Sequence, residues 1–267
     1  MEGLIMTASD AIKYEKRDNV AWVTLNRPDQ INAINDGIRD GILRSIGEAE
    51  ADAEVRAIVI IGSGPRGFCA GADIKEARGP ETPAEARRRL TKGGYLDALE
   101  RCTKPTIAAI HGVCMGGGFE IALACDIRIA AADAVFALPE TGLGLIPGGG
   151  GTQRLPRIVG LGRALDLMLT GDRIDASEAY RIGAVSRLVA DPTQLAAEAE
   201  KVAQRITAKP PTATAYAKEA ARSGIEMDLK SGLQLERTLF TVLLTTEDRK
   251  EAAAAFKEKR KPNFTGR

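Results

Sequence analysis

Apolar and polar positions along this chain switch between the period of a strand and the period of a helix. Residues 11–17 and 20–26 predict two strands, the second reading Val20-Ala21-Trp22-Val23-Thr24-Leu25, with Arg17-Asp18-Asn19 as a hairpin turn between them. From Asn35 the apolar residues Ile38, Ile42 and Ile46, with Leu43 beside them, recur at helical spacing to Ala49. Val55-Arg56-Ala57-Ile58-Val59-Ile60-Ile61 predicts a buried strand, stopped by Gly62-Ser63-Gly64-Pro65. Residues 75–83 are charged and Pro-rich, and 84–101 resume helical character. The apolar run Thr106-Ile107-Ala108-Ala109-Ile110 reads as a strand, a helix starts near Gly117, and Asp126-Ile127-Arg128-Ile129-Ala130 reads as another strand.

Beyond Gly160 the pattern becomes helical, over 161–169, 175–181, 192–208, 212–222, 225–243 and 247–260, with only 185–189 extended. The expectation is an α/β core followed by a helical region. Its divisions are a short extension over 1–9, a core over 10–200 and a C-terminal helical region over 201–267. In the 225–243 segment Leu229, Leu233 and Phe240, together with Leu235, Leu239 and Leu243, cover more than one helix face. Such a helix buries one side in its own chain and another in a partner, or both within the chain.

Turns rich in small residues interrupt this pattern at three places. They are Gly67-Phe68-Cys69-Ala70-Gly71-Ala72-Asp73-Ile74, the stretch from His111 to Glu120 that contains Gly116-Gly117-Gly118, and Gly148-Gly149-Gly150-Gly151 before Thr152-Gln153-Arg154. A glycine inside an element loses roughly 0.5–1 kcal/mol relative to alanine, so a cluster implies a sharp turn or a close approach to the backbone. A strand-to-helix turn also leaves free N–H groups where the helix dipole favours negative charge. Glu120 lies just inside such a helix start, either as a helix stabiliser or as an acid or base beside an anion-stabilising turn. The third turn lacks the Gly-Lys-Ser/Thr ending of a nucleoside triphosphate loop, and no dinucleotide fingerprint is present.

Composition narrows the chemistry further. The 267 residues carry a formal charge of +1, with 44% apolar and 27% charged residues, which argues against a nucleic-acid partner recruited by global charge. Arg87-Arg88-Arg89 is a local basic run whose default reading is a solvated face. Cys69, Cys102, Cys114 and Cys125 lack metal-ligand spacing and read as reduced and mostly buried; any histidine chemistry would have to come from His111. No metal site is expected. No apolar run is long enough to span a membrane and no apolar leader is evident, so a cytoplasmic protein without membrane partners is expected.

Three ordered motifs, Phe68-Cys-Ala-Gly-Ala-Asp-Ile-Lys75, His111-Gly-Val-Cys-Met-Gly-Gly-Gly-Phe-Glu120 and Pro139-Glu-Thr-Gly-Leu-Gly-Leu-Ile-Pro-Gly148, the last followed by Gly-Gly-Gly-Thr-Gln-Arg154, resemble the enoyl-CoA hydratase/isomerase, or crotonase, superfamily. The resemblance spans nearly the whole chain and is strongest to the hydratase branch. It implies a spiral of repeated ββα units, a C-terminal helical oligomerisation region, and homotrimers commonly paired into homohexamers. It also implies an acyl-CoA thioester substrate, with coenzyme A as part of that substrate and no separate cofactor.

On the matching positions, the resemblance makes Glu120 and Glu140 the two catalytic glutamates and the N–H groups of Ala70 and Gly117 the oxyanion hole. Gly148 is expected to donate near the reacting water or a carboxylate. Phe68, Ala70, Ala72, Asp73 and Ile74 resemble the segment around the coenzyme A adenine and pantetheine. Phe240 and Lys259 match positions that contact the adenine or phosphate region, with an exposed charged tail as the other reading of Lys259. The implied reaction is reversible hydration of a trans-2-enoyl-CoA to a 3-hydroxyacyl-CoA, most commonly in fatty-acid β-oxidation. Enoyl-CoA isomerisation is the nearer alternative, and a non-catalytic or RNA-binding role the more distant one.

Overall fold

The computed structural model describes residues 11–76, 81–91 and 94–267. The expected extension over 1–9 and the side chain of Arg89 lie outside them. The chain opens with an antiparallel pair, β1 (Ile12–Arg17) and β2 (Val20–Leu25), joined through Asp18 at φ 50°. Next comes α1 (Asp36–Ala51), whose first turn is capped by the Asn35 side chain accepting from the Ile38 amide at 3.0 Å. β3 (Ala57–Gly62), α2 (Pro83–Thr91), α3 (Tyr95–Arg101), β4 (Thr106–Ile110), β5 (Val113–Met115) and α4 (Gly117–Ala124) follow. The chain continues through β6 (Ile127–Ala131), β7 (Val135–Ala137), a 3₁₀ turn (Glu140–Leu143), α5 (Gly151–Val159) and α6 (Leu161–Thr170). It closes with β8 (Ile174–Asp175), α7 (Ala176–Arg181), β9 (Arg187–Val189), α8 (Leu195–Thr207), α9 (Pro211–Gly224), α10 (Leu229–Leu243) and α11 (Glu247–Glu258).

A six-stranded sheet runs in the order β1-β2-β3-β4-β6-β9, parallel from β2 onward, and a smaller sheet in the order β5-β7-β8. Successive turns of the chain lay one strand in the large sheet and the next in the small one, as β4 with β5 and β6 with β7, which generates the ββα spiral. Both faces of the large sheet are covered, which explains its continuous apolar runs. Ile58, Ile60, Ala108 and Ile110 enter the main core, while the alternate residues Val59, Ile107 and Ala109 enter a second core with Trp22. α8 closes that second core through Leu195, Ala199, Val202 and Ala203, a stripe at helical spacing. The sequence-based boundary at 200/201 therefore falls inside a helix that belongs to the sheet, and α9 is the first helix beyond it. The small sheet was not foreseen, because strands of three residues are too short to show a period.

Two close approaches place the loop after β3 against α4. Phe68 and Cys69 donate their amides to His111 O and Val113 O at 2.8 and 3.0 Å, and Met115 returns its amide to Cys69 O at 3.0 Å. A Cβ at Gly118 would stand 2.4 Å from Cys69 O, so only glycine lets the helix meet the loop backbone. Gly116 adopts φ 51° at the start of α4, turning β5 into the helix. At the other end of α4, Arg222 donates to Ala124 O and Arg128 to Cys125 O, both at 2.8 Å. α9 is tied there as well, because Lys218 and Arg222 each pair with Asp126 at 2.8 Å. Among the described residues no helix is long and apolar enough to cross a membrane.

Candidate active site

Glu120 lies in the first turn of α4, a helix so apolar that everything from Gly118 to Ala124 is buried. The carboxylate is 4% exposed, and its Oε1 accepts two amides from the third glycine-rich turn, Gly149 N at 2.7 Å and Gly151 N at 2.8 Å. Burial pushes its pKa above the ordinary glutamate range, while the two amides and the Arg154 charge oppose that rise. One oxygen is thus committed to the backbone. The other, Oε2, stands 4.0 Å from where a Cβ on Gly117 would lie.

Glu140 opens the 3₁₀ turn after β7, the strand that pairs in parallel with β5, and β5 in turn leads into α4. Its Oε1 is 3.1 Å from the position of a Cβ at Gly116, so the two carboxylates flank consecutive residues of one helix start. Glu140 Oε2 is buried and has no hydrogen-bond partner among the described residues. Burial raises this pKa too, with the Glu120 charge adding to the rise and its own backbone amide offsetting part of it. Two carboxyl groups that disfavour simultaneous ionisation can hold and exchange one proton near neutral pH, a property of the pair.

The oxyanion-hole assignment requires a correction. The Ala70 amide is already spent, donating to Ile31 O at 2.9 Å. Ala72, two residues on, makes a parallel bridge with Ile34 through its neighbours: Ile34 N donates to Gly71 O at 2.8 Å and Asp73 N to Ile34 O at 3.0 Å. The Ala72 amide itself has no acceptor among the described residues, and it lies 3.9 Å from where a Cβ on Gly117 would stand. Gly117, the first residue of α4, carries one of the N–H groups that a helix start leaves unpaired. Ala72 and Gly117 are therefore the two neighbouring amides open to an oxyanion.

Several other expected site residues separate into different roles. Phe68 is fully buried, its amide held by His111 O and its carbonyl by Asn32 Nδ2 at 3.1 Å, which leaves no group for coenzyme A. Asp73 is committed within the loop: its carboxylate pairs with Arg27 at 2.8 Å, its amide bonds Ile34 O, and its carbonyl accepts from Glu76 N. Ala70, Ala72 and Ile74 are exposed, Ile74 by 86%. Gly148 is exposed beside the glutamate turn, but Gly149 and Gly151 make the bonds to Glu120. Phe240 is exposed on α10, Lys259 sits at φ 53° just past α11, and no hydrogen bond or ion pair joins either to the glutamates.

Sequence reasoning missed Asn32, which is wholly buried and donates Nδ2 to Ser63 O, Gly67 O and Phe68 O at 3.0, 3.0 and 3.1 Å. Its Oδ1 accepts the Arg27 amide at 2.9 Å, so one side chain shapes the loop that bears Ala72. The only sequence signal was a polar residue beside a turn, and nothing in the spacing connects it to residues 31 to 36 positions away.

Comparison with known proteins adds a family context to this geometry. Residues 15–267 match the family model described as Enoyl-CoA hydratase/isomerase. The short-chain-enoyl-CoA hydratase of Clostridium acetobutylicum is 43% identical over 247 residues, covering 92% of this chain and 94% of its own length. The crotonyl-CoA hydratase of Syntrophomonas wolfei is 42% identical over 258 residues, covering 96% and 98%. The crystal structure of enoyl-CoA hydratase from Bacillus anthracis superposes with a TM-score of 0.90 at 39% identity, over 96% of this chain and 100% of that one.

Proposed function

The chain belongs to the enoyl-CoA hydratase/isomerase family, and on that premise we propose how its own residues carry out hydration. The activity is that of an enoyl-CoA hydratase: water adds reversibly to a trans-2-enoyl-CoA to give a 3-hydroxyacyl-CoA. The observation that carries the residue assignment is the placement of Glu120 and Glu140 on either side of the Gly116–Gly117 helix start, next to the open amides of Ala72 and Gly117.

In this reading the thioester oxygen accepts from Ala72 N–H and Gly117 N–H. Water is held between Glu120 Oε2 and Glu140, with Gly148 N–H as a further donor. As the water oxygen bonds to Cβ, its proton passes to Glu140, and the alkene electrons move toward the thioester oxygen as an enolate. Glu140 then returns a proton to Cα, and the electrons of the enolate form the new C–H bond. Glu120 orients the water throughout, because its other oxygen is fixed by Gly149 and Gly151. Two fixed amides at the oxyanion stabilise charge as it develops, and loss of one such donor costs about 2.7–4 kcal/mol of transition-state stabilisation.

No separate cofactor enters this proposal; coenzyme A arrives on the substrate. The exposed edge of Ala70, Ala72 and Ile74 is assigned to its pantetheine and adenine, and Phe240 and Lys259 to its nucleotide end across a subunit boundary. Short acyl chains are the proposed substrates, as in the names of the clostridial and syntrophic relatives. A homotrimer or homohexamer fits the exposed apolar residues of α10, with Leu229 at 77% and Phe240 at 60% exposure, and no residue of that helix is buried within the chain. The four unpaired cysteines fit a reducing, cytoplasmic compartment.

The deciding experiment offers crotonyl-CoA, longer 2-enoyl-CoAs and a 3-enoyl-CoA separately, with products identified by mass spectrometry and NMR. Production of 3-hydroxyacyl-CoA that falls on the order of 10²–10⁴-fold in both Glu120→Gln and Glu140→Gln is the expected result. Double-bond migration without hydration would replace the hydratase reading with an isomerase.

A further inference from the structure

Arg154 is used by none of the steps above, yet it grips the residue that holds Glu120. It lies in the first turn of α5, where its Nη1 donates to Gly149 O at 2.8 Å and its Nη2 pairs with Glu100 on α3. The side chain is 18% exposed. A Cβ at Gly150 would fall 2.1 Å from Nη1, so the guanidinium lies directly against the Gly149–Gly150 peptide. Gly149 is consequently held from two sides, its carbonyl by Arg154 and its amide by Glu120 Oε1 at 2.7 Å. A planar guanidinium fixes direction as well as charge, and here it links two helices through one peptide.

We propose that Arg154 is a positioning residue for hydration: by clamping the Gly149 carbonyl and anchoring to Glu100, it holds the amide cradle that spends Glu120 Oε1 and leaves Oε2 for the water. This rests on the hydratase reading of the glutamate pair. The same cation also opposes the burial that disfavours ionised Glu120, so its removal has an electrostatic signature in addition to a geometric one.

The test compares wild type, R154M, R154K and E100Q in steady-state hydration of crotonyl-CoA across pH, with thermal unfolding measured for each. In R154M, kcat is expected to fall on the order of tenfold to a hundredfold with KM little changed, because a small misplacement near the reacting atoms has that scale of effect. Its acid limb moves to higher pH, since a cation that favours the carboxylate is gone. R154K retains the charge and brings the acid limb back toward wild type while recovering only part of kcat. E100Q, which releases the guanidinium from α3, gives an intermediate kcat. A folded R154M with wild-type kcat, or one whose kcat falls with no movement of the acid limb, overturns the positioning role. Should R154M not fold, wild-type kcat in both R154K and E100Q overturns it instead. A wild-type protein that hydrates no enoyl-CoA refutes the underlying hydratase reading, an outcome separate from variants that match an active wild type.

Discussion

Ala70 and Ala72 stand two residues apart on one loop, and their amides have different fates: the first donates to Ile31 O at 2.9 Å, while the second has no acceptor among the described residues. This difference locates the upstream half of the proposed oxyanion hole. On the proposed mechanism it also separates a structural amide from a catalytic one within three residues of chain.

Replacing the backbone amide of Ala72 by an ester removes that donor and leaves every internal hydrogen bond its partner, while the Gly71 carbonyl that accepts from Ile34 N becomes a weaker acceptor. The expected outcome is a fall in kcat on the order of 10²–10³-fold with a smaller drop in melting temperature than at Ala70. The same replacement at Ala70 removes the bond to Ile31 O, lowering stability by about 0.5–1.5 kcal/mol while most of kcat persists. Hydration kinetics and thermal unfolding of the two semisynthetic proteins check both halves; a larger kcat loss at Ala70 would reverse the assignment.

Glu140 gives a prediction in pH. Its folded pKa is raised by burial and then by the Glu120 charge, so the native state binds its proton more tightly than the unfolded chain does. Stability from this group is fully present below the unfolded glutamate pKa and is lost as pH rises through the higher folded value. Glu140→Gln removes that loss. Urea unfolding should therefore show the variant gaining on wild type from the ordinary glutamate range upward and levelling off above the native pKa, whereas a constant difference across pH would contradict the assignment.

The positions legible in the sequence were those where chemistry and chain direction are local. Glu120 and Gly117 share one helix start, and β4 shortly before it is buried throughout, so their placement follows from a short stretch. The Ala70 and Ala72 amides could not be told apart, because composition does not give the phase of an extended backbone. Phe68 illustrates a similar limit: an aromatic beside small residues can contact a ligand or fill a core, and here it is fully buried. The cradle of Gly149 and Gly151 lies 29 and 31 positions from Glu120, and only the folded chain brings them together. The division at 200/201 falls within α8 for a related reason, since the apolar stripe on that helix does not reveal from sequence which surface it will cover.

Asn32→Ala should weaken the same site from beneath. Three carbonyls, of Ser63, Gly67 and Phe68, lose their shared donor in the protein interior. Leaving even one buried acceptor unsatisfied costs about 1–3 kcal/mol. A lower melting temperature is expected together with a reduced kcat, because the loop that carries Ala72 relaxes. Unchanged kinetics in a destabilised but folded variant would confine Asn32 to stability.

Charge on α10 tests assembly. Leu229 and Leu233 are 77% and 39% exposed within one chain. Replacing both by Asp is expected to shift the mass measured by light scattering from that of three or six chains toward the 28.4 kDa of one. A wild-type protein that already runs as a single chain would sink the oligomer proposal.

The two guanidinium groups at the far end of α4 alter how that helix presents itself to the substrate. Arg222 and Arg128 occupy the carbonyls of Ala124 and Cys125, so the electron-rich end is terminated by cations, while Gly117 at the electron-poor end keeps its N–H available. An eight-residue helix wired this way behaves as a one-ended electrode, its counter-charge grounded inside the protein. On the proposed reading the enolate oxygen meets the free N–H end of α4, while the carbonyls at the opposite end are already occupied by two guanidinium groups.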